Sequence, residues 1–135
     1  MATHSTIPDL LITAIKANTV LATAVGDRVH YQTIPQSSLF PHIYIARQSR
    51  ETETFLEGGD GPTEDRFVVE FVAESYSDNQ CSAVFDALND IECQLPDGTW
   101  VYCTDVTDVD DNYVFKSADS DALFLHAFQV TVYHS

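Results

Sequence analysis

The stretch Val25 to Ala46, VGDRVHYQTIPQSSLFPHIYIA, decides how this chain is built. It opens where an apolar helical pattern stops at Gly26 and turns into a short alternating run, Arg28 to Gln32. An irregular segment bracketed by Pro35 and Pro41 follows, and a β-rich run begins at His42. Helix stop, short strand, proline-bracketed crossover and long strand make a structural connection. None of these parts has the character of an active site.

Upstream, Pro8 and Asp9 suit a first helical turn, because proline lacks an N–H and aspartate favours the positive end of the dipole. Leu10, Leu11, Ala14, Ile15 and Ala17 then recur at helical spacing, with Lys16 directed away from the stripe. Asn18 ends or kinks this helix, and Thr19 to Val25 reads as a second short helical piece closed by Gly26. Downstream, His42 to Thr54 reads as a long strand with Ile43, Ile45 and Arg47 on one face and His42, Tyr44 and Ala46 on the other. Its second half is polar on both faces, which argues against a place in the core.

Glu57 to Thr63 has turn chemistry, with three glycines and a proline within seven residues. Asp65 to Glu74 alternates as a strand, with Phe67, Val69, Phe71 and Ala73 on one side. The pair forms a hairpin. Twelve strand residues span roughly 40 Å, whereas a domain of this length has a radius of gyration near ~14 Å. The arm, about residues 47–66, is therefore expected to overhang the body or curl around it.

Ser77 and Gln80 fit a capping box, and Cys81, Val84, Phe85, Leu88 and Ile91 follow on one helical face. Leu95-Pro96-Asp97-Gly98 is a turn, Trp100 to Val106 a strand, and Val109 to Asn112 an acidic loop. Tyr113 to Lys116 is a short strand or a continuation of the connection. Ala122 to Tyr133 closes the chain as a strand whose early part is apolar on both faces, as an interior position requires. The sum is a single α+β domain over 1–135: a mostly antiparallel sheet with a long hairpin and two main helices packed on one face.

Composition narrows the function. A chain of 135 residues with 44% hydrophobic residues can bury one core. No apolar run reaches the ~20 residues of a membrane span, and MATHSTIPDLL lacks the basic-then-apolar order of a secretory signal. Six Lys and Arg face 21 Asp and Glu, for a net charge of −15, a surface that repels phosphate backbones and anionic lipid. Cys81, Cys93 and Cys103 cannot all pair and show no paired metal spacing, which fits reduced thiols acting as small apolar side chains.

Catalytic and ligand signals fail one after another. Gly58-Gly59-Asp60-Gly61 is glycine-rich but is followed by neither Lys-Ser/Thr nor a helix start, so it is a hairpin tip in preference to a phosphate cradle. Asp105, Asp108, Asp110 and Asp111 with Asn112 lack the turn glycine and distal glutamate of a calcium loop, and like Asp119 and Asp121 they read as solvated. His42 and His126 lie on strands and could share a face, with structural histidines the commoner case. No nucleophile elbow exists, and no carboxylate pair separates itself by spacing. No catalytic residue, cofactor or metal is expected.

The Leu10 to Ala24 helix, the Gly26-Asp27-Arg28-Val29 junction, Pro35-Gln36 and Phe40-Pro41 ahead of a strand follow one another in order. The alternating Phe67 to Ala73 strand and the capped helix after Ser77 continue it. This order resembles the tail terminator, or tail completion, proteins of long-tailed bacteriophages and related prophage or gene transfer particles, over about residues 7 to 133. The resemblance implies a non-enzymatic virion protein forming a hexameric ring on the head-proximal end of the tail tube. Such a ring stops tube growth and presents the surface to which the head docks. Its partners would be its own copies, the tail tube protein and a head connector or head completion protein, with assembly in the host cytoplasm and no membrane. DNA would pass through the ring without specific binding, past carboxylates on the bore. Arg28, Arg47, Arg50 and Arg66, with Gly58, Gly59, Asp60 and Gly61, would supply ring or tube contacts. Self-repulsion at low salt is compatible with monomers in isolation. The chain departs from the family in its acidity and its glycine-rich tip. Two alternatives stand beside this: another neck protein (head completion or head–tail joining), and a small cytoplasmic ligand-binding α+β module.

Overall fold

The computed structural model of the chain describes residues 6–34, 39–54, 60–75, 77–108, 113–116 and 122–135. Helix α1 (Thr6–Ala17) carries Asp9 in its first turn and Lys16 in its last, matching the dipole at both ends. Asn18 does more than stop α1. Its Oδ1 accepts from the backbone N–H of Val20 (3.0 Å) and Leu21 (3.2 Å), making it the N-cap of α2 (Thr19–Val25). The two helices bend by 94° at this residue, so Leu11 and Ile15 from one and Leu21 and Val25 from the other reach the same core. Gly26 closes α2 with φ at +55°, a conformation that favours glycine.

The crossover behaves as its sequence suggests on either side of residues 35–38; Pro35 and Gln36 lie outside the described residues. β1 (Val29–Tyr31) lies parallel to β2 (His42–Thr54), pairing Val29 with Ile43 and Tyr31 with Ile45. Arg28 ties the two ends of the connection together: Nε donates to the Pro41 carbonyl and Nη2 to the Ala24 carbonyl, each at 2.9 Å. The Phe40–Pro41 peptide is cis. β2 continues into an antiparallel ladder with β3 (Asp60–Ala73). Helix α3 (Asp78–Leu88) starts at Ser77, whose hydroxyl accepts from the Gln80 N–H at 3.2 Å. β4 (Cys93–Gln94), β5 (Trp100–Asp108), β6 (Tyr113–Lys116) and β7 (Ala122–His134) complete a seven-stranded sheet of order β1-β2-β3-β7-β5-β4, with β6 beside the start of β7. Among the described residues every strand pairing except β1 with β2 is antiparallel.

One face of this sheet meets the helices. Ile43, Ile45, Phe67, Val69, Phe71, Phe128, Val130 and Val132 join Leu11, Ile15, Leu21, Val84 and Leu88 in one buried cluster. The opposite face holds a smaller patch of Val72, Leu125 and Ala127 with Phe40 packed against it. Among the described residues no single helix is long and apolar enough to cross a membrane.

Several expectations change. Among the described residues the overhang is short: β7 runs beside β3 from Ala73 as far as Thr63, so Asp60 to Pro62 of β3 pass beyond the third strand, and residues 55–59 of the tip lie outside the described residues. The alternation of β2 and β3 carried no sign that the long final strand would lie beside them. β3 also begins at Asp60, so Gly61 to Thr63 belong to a strand instead of the expected loop, and Pro62 sits where the ladder slips between Thr52 and Thr54. Phe85, placed by spacing on the buried face of α3, is 38% exposed. Ile91 lies beyond the helix, which ends at Leu88 with Asn89 as its C-cap. β4 was not anticipated, and β5 runs two residues past Val106. The acidic residues 109–112, Asp119 and Asp121 lie outside the described residues.

Replacing Asn18 by Ala removes two backbone hydrogen bonds at the bend, and the expected loss is about 1 kcal/mol of unfolding free energy. Urea denaturation of Asn18→Ala beside Asn18→Asp, which keeps an acceptor, measures it. Equal losses in both variants would show that the cap is not the cause.

Candidate functional site

The polar end of the sheet was expected to lie outside the core, yet it contains the most deeply buried charge described in the chain. Asp65 continues the inward face of β3 beyond Phe67 and is fully buried. Opposite it, β2 slips register between Arg47 and Ser49. That bulge resets the alternation: Arg47 points inward, Gln48 turns to the other face, where its Oε1 accepts from Gln129 Nε2 at 3.1 Å, and Arg50 lies directly across from Asp65. Arg50 grips the carboxylate with both ends of its fork, Nε to Oδ1 at 2.7 Å and Nη2 to Oδ2 at 2.8 Å.

The third strand supplies His134, which continues the inward parity of Phe128, Val130 and Val132 and places Nε2 2.9 Å from Asp65 Oδ2. Its Nδ1 is 2.8 Å from the main-chain oxygen of Ser135. Arg47 approaches the same Oδ2 at 3.7 Å and stacks its guanidinium over Phe67, 5.3 Å from the ring centre. Its Nε and Nη2 are buried without a hydrogen-bond partner. Next along the strands, the hydroxyls of Thr52 and Thr63 meet at 3.0 Å. Burial alone would raise the Asp65 carboxyl. The hydrogen bonds from His134 and Arg50, with the charges of Arg50 and Arg47, outweigh it and hold the group well below the ordinary carboxylate range.

This arrangement locks three strands together. The carboxylate is held by Arg50 and Arg47 on one side and by the His134 ring on the other. Elsewhere the options are limited. A cleft of about 250 Å³ between α3 and β7, lined by Asp78, Cys81, Ser82, Phe85, Asp86, His126 and Phe128, falls short of the ~300–1,000 Å³ typical of ligand pockets. A second groove of about 360 Å³ runs past Glu51, Thr52, Thr63, Glu64 and Tyr133, where two carboxylates and a phenol, raised by burial and by Glu64, line an open surface. Among the described residues no group of His, Cys, Asp or Glu has the geometry to hold a metal ion. His42 and His126 do not share a face: His42 stacks on Phe40 on the side of Val72, whereas His126 packs on Phe128 among the inward positions.

The proposed contact residues divide. Arg28 is committed to the crossover clamp and Arg50 to Asp65. Arg66 pairs with Glu64 at 2.8 Å on the opposite face of the sheet from Asp65. Asp60 and Gly61 begin β3, while Gly58 and Gly59 lie outside the described residues. Asp65 and His134 were missed. The available signal was a lone aspartate at the parity of Phe67, Val69 and Phe71, and a histidine at the parity of three buried residues of β7.

Because the Asp65 carboxyl is lowered in the folded state, its contribution to stability is complete above the ordinary value of 3.8 and is lost as pH falls below it. Asp65→Asn should therefore be less stable than the parent at neutral pH, with the gap narrowing under acid. Parallel denaturation curves across that range read it, and a gap independent of pH would mean that the charge is not what matters.

No protein-family model matches the chain, and no curated protein matches it. Among solved structures it is similar to a chain from the virion of a native gene transfer agent particle, with a TM-score of 0.63 and 16% identity over 99% of this chain and 98% of that one. At that identity the likeness is one of fold, and it extends from one end of both chains to the other.

Proposed function

We propose that this protein is a tail terminator of a phage-like particle. Six copies close into a ring on the head-proximal end of the tail tube, stop its polymerisation and present the surface to which the head docks. The observation that carries this reading is the end-to-end fold likeness to a virion chain, at a TM-score of 0.63. The terminator-like order of elements, from the first helices through Gly26-Asp27-Arg28-Val29 to the capped α3, supports the same role within a virion.

The work of such a protein is done by surfaces. Its partners are its own copies, the tail tube protein and a head connector or completion protein, and it resides at the neck of the tail after assembly in the host cytoplasm. Subunits carrying a net charge of −15 repel one another over about a Debye length, ~10 Å at 0.1 M salt. Ring closure thus gains from salt or from a tube end that orders the subunits. Carboxylates turned to the bore would repel the phosphate backbone and let DNA pass without sticking.

Mixing the purified protein with polymerising tail-tube subunits should shorten the tubes in proportion to its concentration, with rings at one end by electron microscopy. Tubes of unchanged length would reject the terminator role. Heads that nonetheless join those tubes only when the protein is added would point to a head-completion role in its place. Raising the salt should move the protein alone toward the ring in sizing experiments.

A further inference from the structure

The two margins of the sheet differ, and each leaves a short strand open. On one side β1 covers β2 only from Ile43 to Ile45, with the Gln32 N–H donating to the Ile45 carbonyl as the last contact. Beyond the bulge, Ser49 to Thr52 of β2 keep continuous register with β3 and have no strand on their outer side among the described residues. On the other side, β5 is already covered. β4 pairs with Trp100 and Val101, the Asp90 N–H donates to the Thr104 carbonyl, and Asn89 Oδ1 accepts from the Val106 N–H. β6 is not covered: Tyr113 to Lys116 pair with β7 alone among the described residues.

We propose that these two margins join, β2 at Ser49–Thr52 of one copy adding to β6 at Tyr113–Lys116 of the next. This rests on the ring reading above and names the contact that would build it. The lengths match, at four residues each. The electrostatics match as well. In a chain of net charge −15, Ser49 to Thr52 hold one glutamate and one arginine, the latter paired with Asp65, and residues 113–116 hold one lysine and no acid. They are stretches where two acidic copies approach with little repulsion. An open edge offers unpaired N–H and C=O groups that a neighbour's strand satisfies. Because the margins are different and lie on opposite sides of the sheet, the contact is head-to-tail, and repetition closes a ring when the rotation permits. Pairing of β2 with β2 would instead stop at a dimer.

Disulfide trapping tests this in the assembled protein. In a Cys93→Ser, Cys103→Ser background, Glu51→Cys is combined with Val114→Cys or with Phe115→Cys, one for each strand direction. Oxidation of rings formed at raised salt or on tube ends should give, in at least one double variant, a covalent ladder reaching the hexamer on a non-reducing gel. Glu51→Cys alone should give none. Rings visible by electron microscopy whose chains run as monomers after oxidation in both double variants would overturn this contact and leave the ring reading intact. A dimer from Glu51→Cys alone would overturn it in favour of β2-to-β2 pairing. Absence of closed assemblies from the unmodified protein, with or without tubes, would overturn the ring reading and this contact together.

Discussion

A carboxylate withdrawn from water is stable only where cations and donors surround it, and Asp65 meets that demand by drawing on three strands. Arg50 and Arg47 come from β2, His134 from β7, and the aspartate from β3 between them. A buried ion pair is weak evidence for net stability, since desolvation offsets much of the attraction. It is a stronger determinant of register. Sliding either neighbour by one residue would carry Arg50 or His134 to the opposite face and deprive the buried Asp65 of that strand's partner.

The sheet is thus held in two ways along its length. Toward the helices, aliphatic and aromatic residues close against α1, α2 and α3. Toward the hairpin end, the same inward face is carried by charge and hydroxyl pairs. That division bears on assembly. Arg28, Arg50 and Arg66 satisfy partners within their own chain, so the side chains that seemed free to greet a neighbour are already engaged. What remains open at the hairpin end is backbone, and backbone recognition depends on shape and spacing more than on charge.

Much of this was legible in the residues. The helical stripe of Leu10 to Ile15, the Ser77 cap and the alternation of Phe67 to Ala73 each follow from local periodicity, which does not depend on the rest of the chain. The ends of the crossover were equally plain, because glycine tolerates the positive φ that closes α2 at Gly26 and proline restricts the backbone at Pro41 ahead of β2. The failures that touch the buried cluster were non-local. Nothing between Arg47 and Thr54 announces that a bulge at Gln48 will turn Arg50 inward, and a polar stretch is naturally assigned to solvent. Nor does the sequence, which shows the length of β7, reveal that it pairs with β3 as far as Thr63. Asp65 and His134 are 69 positions apart and become neighbours only through that pairing.

The place of β7 has a kinetic corollary. The strand that divides the sheet in two, with β3 on one side and β5 and β6 on the other, follows every other element in chain order. During translation the β1-β2-β3 segment and the β4-β5 segment emerge without the piece that joins them, and Asp65 lacks its histidine. Contacts of such large sequence separation form late and slowly. A ribosome product truncated before β7 is therefore left with two sheet fragments and no strand to join them.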